Sequence, residues 1–281
     1  MVSVIKKWLR STYDLLMFPL GEALNMLPDR LFFVAVNAQL FMKGSPVRFS
    51  ASSRPRAFVA QSDNLSHYFL HRDRGRQFYA QGLKARAKQI GQSYCLDHID
   101  FTQNDVVVDC GANTADLFLY LAGKISAEQY ITFEPAPREH LMCQLNVPKA
   151  RHFNLGLGDE PGVVKFYMKS ETADSSVIQP SLYEDVIDIK VTTLDAWLSE
   201  YDVNKIKLLK LEAEGFEPEI LAGASSFLAR CEYVAIDGGY ERGVNAEQTF
   251  TTQTNILASH GFRLVDANFK WIRALFVNAN L

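Results

Sequence analysis

The chain has 281 residues, of which 48% are hydrophobic and 22% charged, a composition that suits one large globular domain or a domain with an appendage. It excludes global disorder, a collagen-like repeat and a disulfide scaffold. The net charge of −3 hides an asymmetry: residues 1–100 carry 14 Lys and Arg against 7 Asp and Glu, while residues 101–281 carry 15 against 25.

Such a basic first third either complements the acidic remainder or faces an anionic partner. Cys95, Cys110, Cys143 and Cys231 form no Cys-x-x-Cys pair and no zinc-finger spacing, so they read as buried, reduced thiols of a cytoplasmic protein. Arg10 and Asp14 interrupt the early apolar stretch, which is therefore a poor signal peptide. The longest uncharged hydrophobic run, Leu31–Met42, has twelve residues. A bilayer-spanning helix needs about 20, so no transmembrane segment is expected.

In chain order, residues 1–42 read as one or two helices broken at Pro19-Leu20-Gly21 and at Pro28-Asp29. The stretch Val4–Phe18 mixes apolar, basic and aromatic residues. It packs on its own domain or on a second subunit of a homo-oligomer, or it lies on a membrane surface. Residues 43–64 hold Gly44, Pro46 and Pro55 around alternating Val47-Arg48-Phe49, the pattern of a short strand or two with turns. Residues 65–96 place Leu65, Phe69, Phe78, Leu83, Ala87 and Ile90 near helical spacing.

From about residue 104, short β-branched runs alternate with helical patterns. Strands are expected at Val106–Asp109, Tyr130–Phe133, His152–Leu155, Val163–Tyr167, Ile206–Leu211, Tyr233–Ile236, Phe262–Val265 and Ala274–Val277. Helices fall between most of them. Strand–helix alternation implies crossovers and a mostly parallel sheet. The expected division is a helical, basic extension over 1–96 that covers an acceptor pocket, and an α/β domain over 97–281.

The first of these strands runs into Asp109-Cys110-Gly111-Ala112-Asn113. A strand, a glycine turn and a helix form the nucleotide-binding corner of a doubly wound sheet. Glycine lets the backbone approach a ligand, and the helix start offers free N–H groups. No glycine follows until Gly123, so the dinucleotide fingerprint is absent and a pyrophosphate is disfavoured. Glu134 ends the second strand 23 residues after Gly111, where an acid chelates ribose hydroxyls. Asp109, Gly111 and Glu134 together indicate an adenosine-type ligand without phosphate, such as S-adenosylmethionine.

These stretches resemble the FkbM family of S-adenosylmethionine-dependent methyltransferases. The resemblance rests on VVVDCGAN, ITFEPAPREHLMCQLNV, NLGLGDEPGVVKFY, VTTLDAWL and IKLLKLEAEGFEPEILAGA, spread over about residues 100–240. It implies a Rossmann-like methyltransferase fold with a seven-stranded sheet, and O-methylation of a hydroxyl on a sugar, glycan or glycosylated metabolite. Asn113, Phe133, Pro135, Leu155 and Gly156 join Asp109, Gly111 and Glu134 as expected cofactor contacts. The chain departs from the family pattern in three places. Ala115 stands for a glycine, Glu212 for an Asp and Asp237 for a Glu.

Glu212 and Asp237 each end a strand on the edge where such sheets bind ligands, and Glu214 follows two residues on. A sugar hydroxyl needs help to lose its proton, from a base or from a metal. Glu212, Glu214 and Asp237 are therefore the candidate catalytic acids, acting directly or through Mg²⁺. The blander alternative is that Glu214-Gly215 caps the next helix and Glu212 bonds the glycine turn. His67 or His71 is the candidate second base. Arg72, Arg74 and Arg76 could clamp an acidic group, with Tyr68, Phe69, Phe78 and Tyr79 either stacking on a sugar or packing. Two rival functions remain, a nucleic-acid methyltransferase and a non-catalytic binding protein. No nucleic-acid partner is expected, since base-methylation and RNA-binding signatures are lacking.

Overall fold

The computed structural model describes residues 26–169, 175–201 and 203–281. The segment Val4–Phe18 and the expected break at Pro19-Leu20-Gly21 lie outside the described residues. The break at Pro28 is the start of a helix, Asp29–Met42, as expected of a proline beside a first turn.

Strands β1 (Arg48–Ser53), β2 (Arg56–Ser62) and β3 (Leu65–Phe69) then form an antiparallel sheet in that order. The helical reading of residues 65–69 was wrong. Asp63 and Asn64 both take positive φ, 53° and 64°, the requirement of a two-residue hairpin turn. That turn brings Leu65 opposite Ser62. Alternation then buries His67 and Phe69, a period of two that outweighs the helical spacing. Helices Arg72–Tyr79 and Leu83–Ser93 follow. Phe32, Phe33, Phe49, Phe58, Phe69 and Tyr79 give this module an aromatic core.

The α/β part begins with β4 (Val107–Cys110), β5 (Tyr130–Phe133) and β6 (Arg151–Phe153). Next come β7 (Gly156–Leu157), β8 (Gly162–Met168) and β9 (Asp185–Thr192), which form a small separate sheet. Strand β9 is not among the strands expected from the sequence. Strands β10 (Ile206–Leu211) and β11 (Cys231–Asp237) return to the main sheet. A short pair, β12 (Tyr240–Arg242) and β13 (Glu247–Gln248), precedes β14 (Phe262–Asn268) and β15 (Arg273–Asn278).

The main sheet has seven strands in the order β14-β15-β11-β10-β4-β5-β6. All neighbours are parallel except β15, which runs antiparallel to β11 and β14. From β4 the chain winds outward to β5 and β6, then crosses back to β10 and winds the other way to β11. That reversal opens a crevice at the carboxyl ends of β4 and β10, where such sheets hold ligands.

Alternation sorts the strand residues onto two faces. Val108, Cys110, Leu209, Leu211, Val234 and Ile236 meet Trp197, Ile220, Phe227 and Leu257. Val107, Leu208, Ala235 and Leu275 meet Ile90, Tyr94, Leu117 and Leu121 on the other face. The helix Leu83–Ser93 is thus part of the layer that covers the sheet, and a cut at residue 96 would pass through that layer.

Candidate active site

The crevice is a cavity of about 400 Å³, within the ordinary range for small-molecule sites. Its walls include every cofactor candidate and the three catalytic acids read from the sequence, with His71 but not His67. The opposite wall is Phe69, His71, Arg74, Phe78 and Tyr79 from the N-terminal module, with Tyr94 beneath them.

The glycine turn is shaped by the protein's own backbone. Gly111 has φ +68°, and a Cβ there would lie 1.8 Å from the carbonyl oxygen of Glu212. Only glycine fits this conformation and this approach, so its first job is to let β4 and β10 end side by side. The Phe133 carbonyl accepts the amides of Gly111 and Ala112 at 3.0 and 3.2 Å, while its ring stacks on Phe153 in the core. Ala115 has φ +60°, which accounts for the glycine found there in the family pattern.

Glu134 braces the same turn. Its carboxylate accepts the amides of Asn113 at 2.7 Å and Ala136 at 2.9 Å. Burial pushes its pKa up to about 8 against the pull of the Ala136 amide. Each oxygen keeps a second lone pair, so the carboxylate can still accept two hydroxyls from the cavity side. Leu155 and Gly156 continue this wall, and a Cβ on Gly156 would crowd Ile189 at 3.0 Å. A polar rim at Glu134 and Asn113 beside an apolar floor fits the adenosine half of S-adenosylmethionine.

The acid edge is organised by two cations that the sequence reading did not assign. Lys210 sits opposite Asp109 in the β10–β4 register, so alternation turns both side chains to one face. Its ammonium lies 3.1 Å from Asp109 and 2.8 Å from Glu212, and donates to the carbonyl of Gly111 at 2.9 Å. Tyr130 donates to the other Asp109 oxygen. Burial raises the Asp109 pKa, opposed by Lys210.

Arg273 sits opposite Asp237 in the β11–β15 register. It donates to Asp237 at 2.6 Å, to Glu212 at 2.7 Å and to Ser93 at 3.0 Å. Its guanidinium lies over the Tyr94 ring at 4.2 Å. Burial would raise Glu212, yet Lys210 and Arg273 hold it well below the usual carboxylate range. Asp237 goes the other way, raised by burial and by the neighbouring Glu212.

Glu214 lines the cavity with φ +51°, and its carbonyl accepts the Ser176 hydroxyl at 2.8 Å. Glu217, the first residue of the next helix, Glu217–Ala222, braces the turn around Glu214 by accepting the amides of Ala213 and Gly215 at 2.7 and 3.2 Å. Glu241 also faces the cavity. Burial, then Asp237, Glu212 and Glu217, push its pKa up to about 8 against Arg273. Glu241 was missed because it lies on the short strand β12, beyond the strand ends where acids were sought.

The donor set does not fit Mg²⁺. Glu212 and Asp237, two of the three expected ligands, already share Arg273, and Lys210 occupies the second Glu212 oxygen. Among the described residues no group of three or more His, Cys, Asp and Glu is placed to hold a metal ion. His67 is buried and bonded to Asp116 at 2.7 Å, so it serves the fold rather than as a base. Asp116 also accepts from Tyr79 at 2.6 Å and Arg86 at 2.8 Å, fastening the N-terminal module to the turn after β4. Arg72 is engaged with Asp29 at 3.1 Å, away from the cavity walls.

The sequence profile of the methyltransferase FkbM domain matches residues 109–264, more than half of the chain and the whole acid edge except Arg273. The chain belongs to the FkbM methyltransferase family. Among relatives, it is similar to 2-O-methyltransferase NoeI of Sinorhizobium fredii, 26% identical over 151 residues that make up 46% of this chain and 61% of that protein. It therefore spans less than two thirds of that relative's length. Methyltransferase sdnD of Sordaria araneosa is 24% identical over 201 residues, 59% of this chain and 74% of that one. Among solved structures, a TehB-like methyltransferase from Corynebacterium glutamicum superposes with TM-score 0.40 at 12% identity, covering 74% of this chain and 94% of that one.

Proposed function

We propose that this FkbM-family chain transfers a methyl group from S-adenosylmethionine to a hydroxyl of a sugar, glycan or glycosylated metabolite. The observation that carries this reading is the meeting, in one cavity, of the Glu134-braced glycine turn and a set of acids held around Lys210 and Arg273. The name of the NoeI relative supports an oxygen acceptor. Phe69 and Tyr79 are turned into the module's own core, which favours a small acceptor over stacked bases. Four free, buried cysteines suit a reducing compartment such as the cytoplasm.

When bound, S-adenosylmethionine supplies an activated methyl group on a sulfonium. Glu134 and Asn113 would hold the ribose, with Pro135, Leu155 and Gly156 beside the adenosine. Asp109 and the Gly111 turn would face the amino-acid end. Glu212, held by Lys210 and Arg273, is too committed to cations to take a proton readily, and Asp237 has its two oxygens engaged by Arg273 and the Gly239 amide. They position the edge, with Glu214 beside them. Glu241 is the carboxylate left to receive the hydroxyl proton as the acceptor oxygen bonds to carbon, and a base serves best when its pKa lies near the working pH.

The test measures transfer of labelled methyl to a panel of methyl glycosides and glycolipids, for wild type and Glu241→Gln. Turnover should rise with pH toward about 8 and fall by about 10²–10⁴-fold in the variant, with S-adenosylhomocysteine affinity kept. Chelation should change nothing. Binding without transfer to any acceptor would favour a non-catalytic protein, and normal turnover in Glu241→Gln would remove it as the base.

A further inference from the structure

The helix Asp29–Met42 is apolar on two opposite faces. Phe32, Phe33, Val36 and Leu40 are buried against the N-terminal sheet. Leu31, Val34, Phe41 and Met42 stand 56%, 67%, 69% and 79% exposed, and Ala38 is exposed between them. At about 100° per residue these five fall in one stripe about 100° wide, opposite the buried one. Scattered exposed apolar residues are ordinary, whereas a continuous stripe marks a contact surface.

The surroundings of the stripe are basic. Arg30, Lys43, Arg48, Arg54 and Arg56 are exposed on the helix ends and on the β1–β2 hairpin that packs against them. The Arg48 guanidinium lies 5.5 Å from the centre of the Phe41 ring, which sets a positive charge at the stripe's edge. Residues 26–96 carry 11 Lys and Arg against 3 Asp and no Glu. A second copy of the same surface would bring like charges together. Nucleic acid would satisfy the charges and leave the apolar stripe in water. An anionic bilayer surface satisfies both, because headgroups meet the arginines while the acyl boundary accepts Leu31, Val34 and Phe41.

We propose that the outer face of helix Asp29–Met42 docks this protein on an anionic membrane surface, lying in the interface without crossing it. No described helix is long and apolar enough to span a bilayer.

The experiment is co-sedimentation of the full chain with vesicles of phosphatidylcholine alone or mixed with phosphatidylglycerol. Binding is expected on the mixed vesicles and should weaken as salt rises. The variant Leu31→Ser/Val34→Ser/Phe41→Ser should bind at least about tenfold more weakly. Because that variant touches helix packing, Arg30→Glu/Arg48→Glu/Arg54→Glu keeps the apolar stripe and tests the charges alone. It should lose on the order of a hundredfold, with an unchanged circular dichroism spectrum. The proposal is overturned by absent vesicle binding, or by binding that both variants retain. It is equally overturned if the stripe variant converts a wild-type dimer to monomers without affecting lipid binding, or if the chain binds oligonucleotides and ignores vesicles.

Discussion

Replacing Arg273 by Met should cost about 3 kcal/mol of stability near neutral pH, and the cost should shrink in acid. Arg273 is the shared partner of Asp237 and Glu212, with side-chain exposures of 18%, 5% and 28%. Removing one partner of a buried pair typically costs about 3–5 kcal/mol, because the remaining charge stays buried and unpaired. Lys210 still holds Glu212 at 2.8 Å, so the loss falls mainly on Asp237 and the lower end applies. Asp237 would keep only the Gly239 amide at 3.0 Å. Its carboxyl, already raised, would rise further above its unfolded value. A carboxyl with a raised folded pKa destabilises where it is ionised, so the variant's deficit is largest well above that pKa and fades as protons neutralise it. Urea unfolding of both chains at about pH 8, 7, 6 and 5 reads this directly. A deficit below about 1 kcal/mol, or one that stays constant across that range, would refute the view that Arg273 neutralises a buried acid pair.

Asp116→Asn should destabilise by about 2–4 kcal/mol, since Arg86 loses its charge partner and the buried His67 loses the carboxylate it contacts at 2.7 Å. Burial would raise Asp116, but those two groups hold it below the carboxylate range. Its contribution is therefore present above the unfolded pKa and lost as pH falls, a dependence that denaturation of the variant should lack. Gly111→Ala should cost more than about 2 kcal/mol in urea unfolding, through the positive φ and the collision with the Glu212 carbonyl. Glu134→Gln should weaken adenosine binding by about 1.5–3 kcal/mol in calorimetric titration. Wild-type affinity should rise through about pH 8, where Glu134 ionises, and that rise should vanish in the variant.

The sheet was legible because its central strands β4, β5 and β10 are short, almost fully buried apolar runs, and the glycine turn was legible because no other residue fits it. Residues 65–69 were misread because their apolar spacing suits either period. The decisive signal, Asp63-Asn64 poised for a hairpin turn, carries no hydrophobicity at all. The carboxylates Glu212 and Asp237 were found at the strand ends where topology puts them. Their partners were not, because Lys210 reads as one charge within a strand and Arg273 lies 61 residues beyond Glu212 in the chain.

Pairing across the sheet turns that list of acids into a graded set. Register places Lys210 beside Asp109 and Arg273 beside Asp237, and alternation sends all four side chains to the cavity face. Two arriving cations cannot neutralise every acid there equally. Glu212 is held by both and stays ionised, Asp237 has one, and Glu241 is influenced by Arg273 only from a distance while three other carboxylates repel its charge. The gradient follows from the order in which the strands pair, so sequence-separated residues decide which carboxylate can accept a proton. On this view the Glu212 and Asp237 departures from the family pattern matter through their reach to Arg273: a longer side chain just past β10 and a shorter one at the end of β11 meet the same guanidinium, at 2.7 and 2.6 Å.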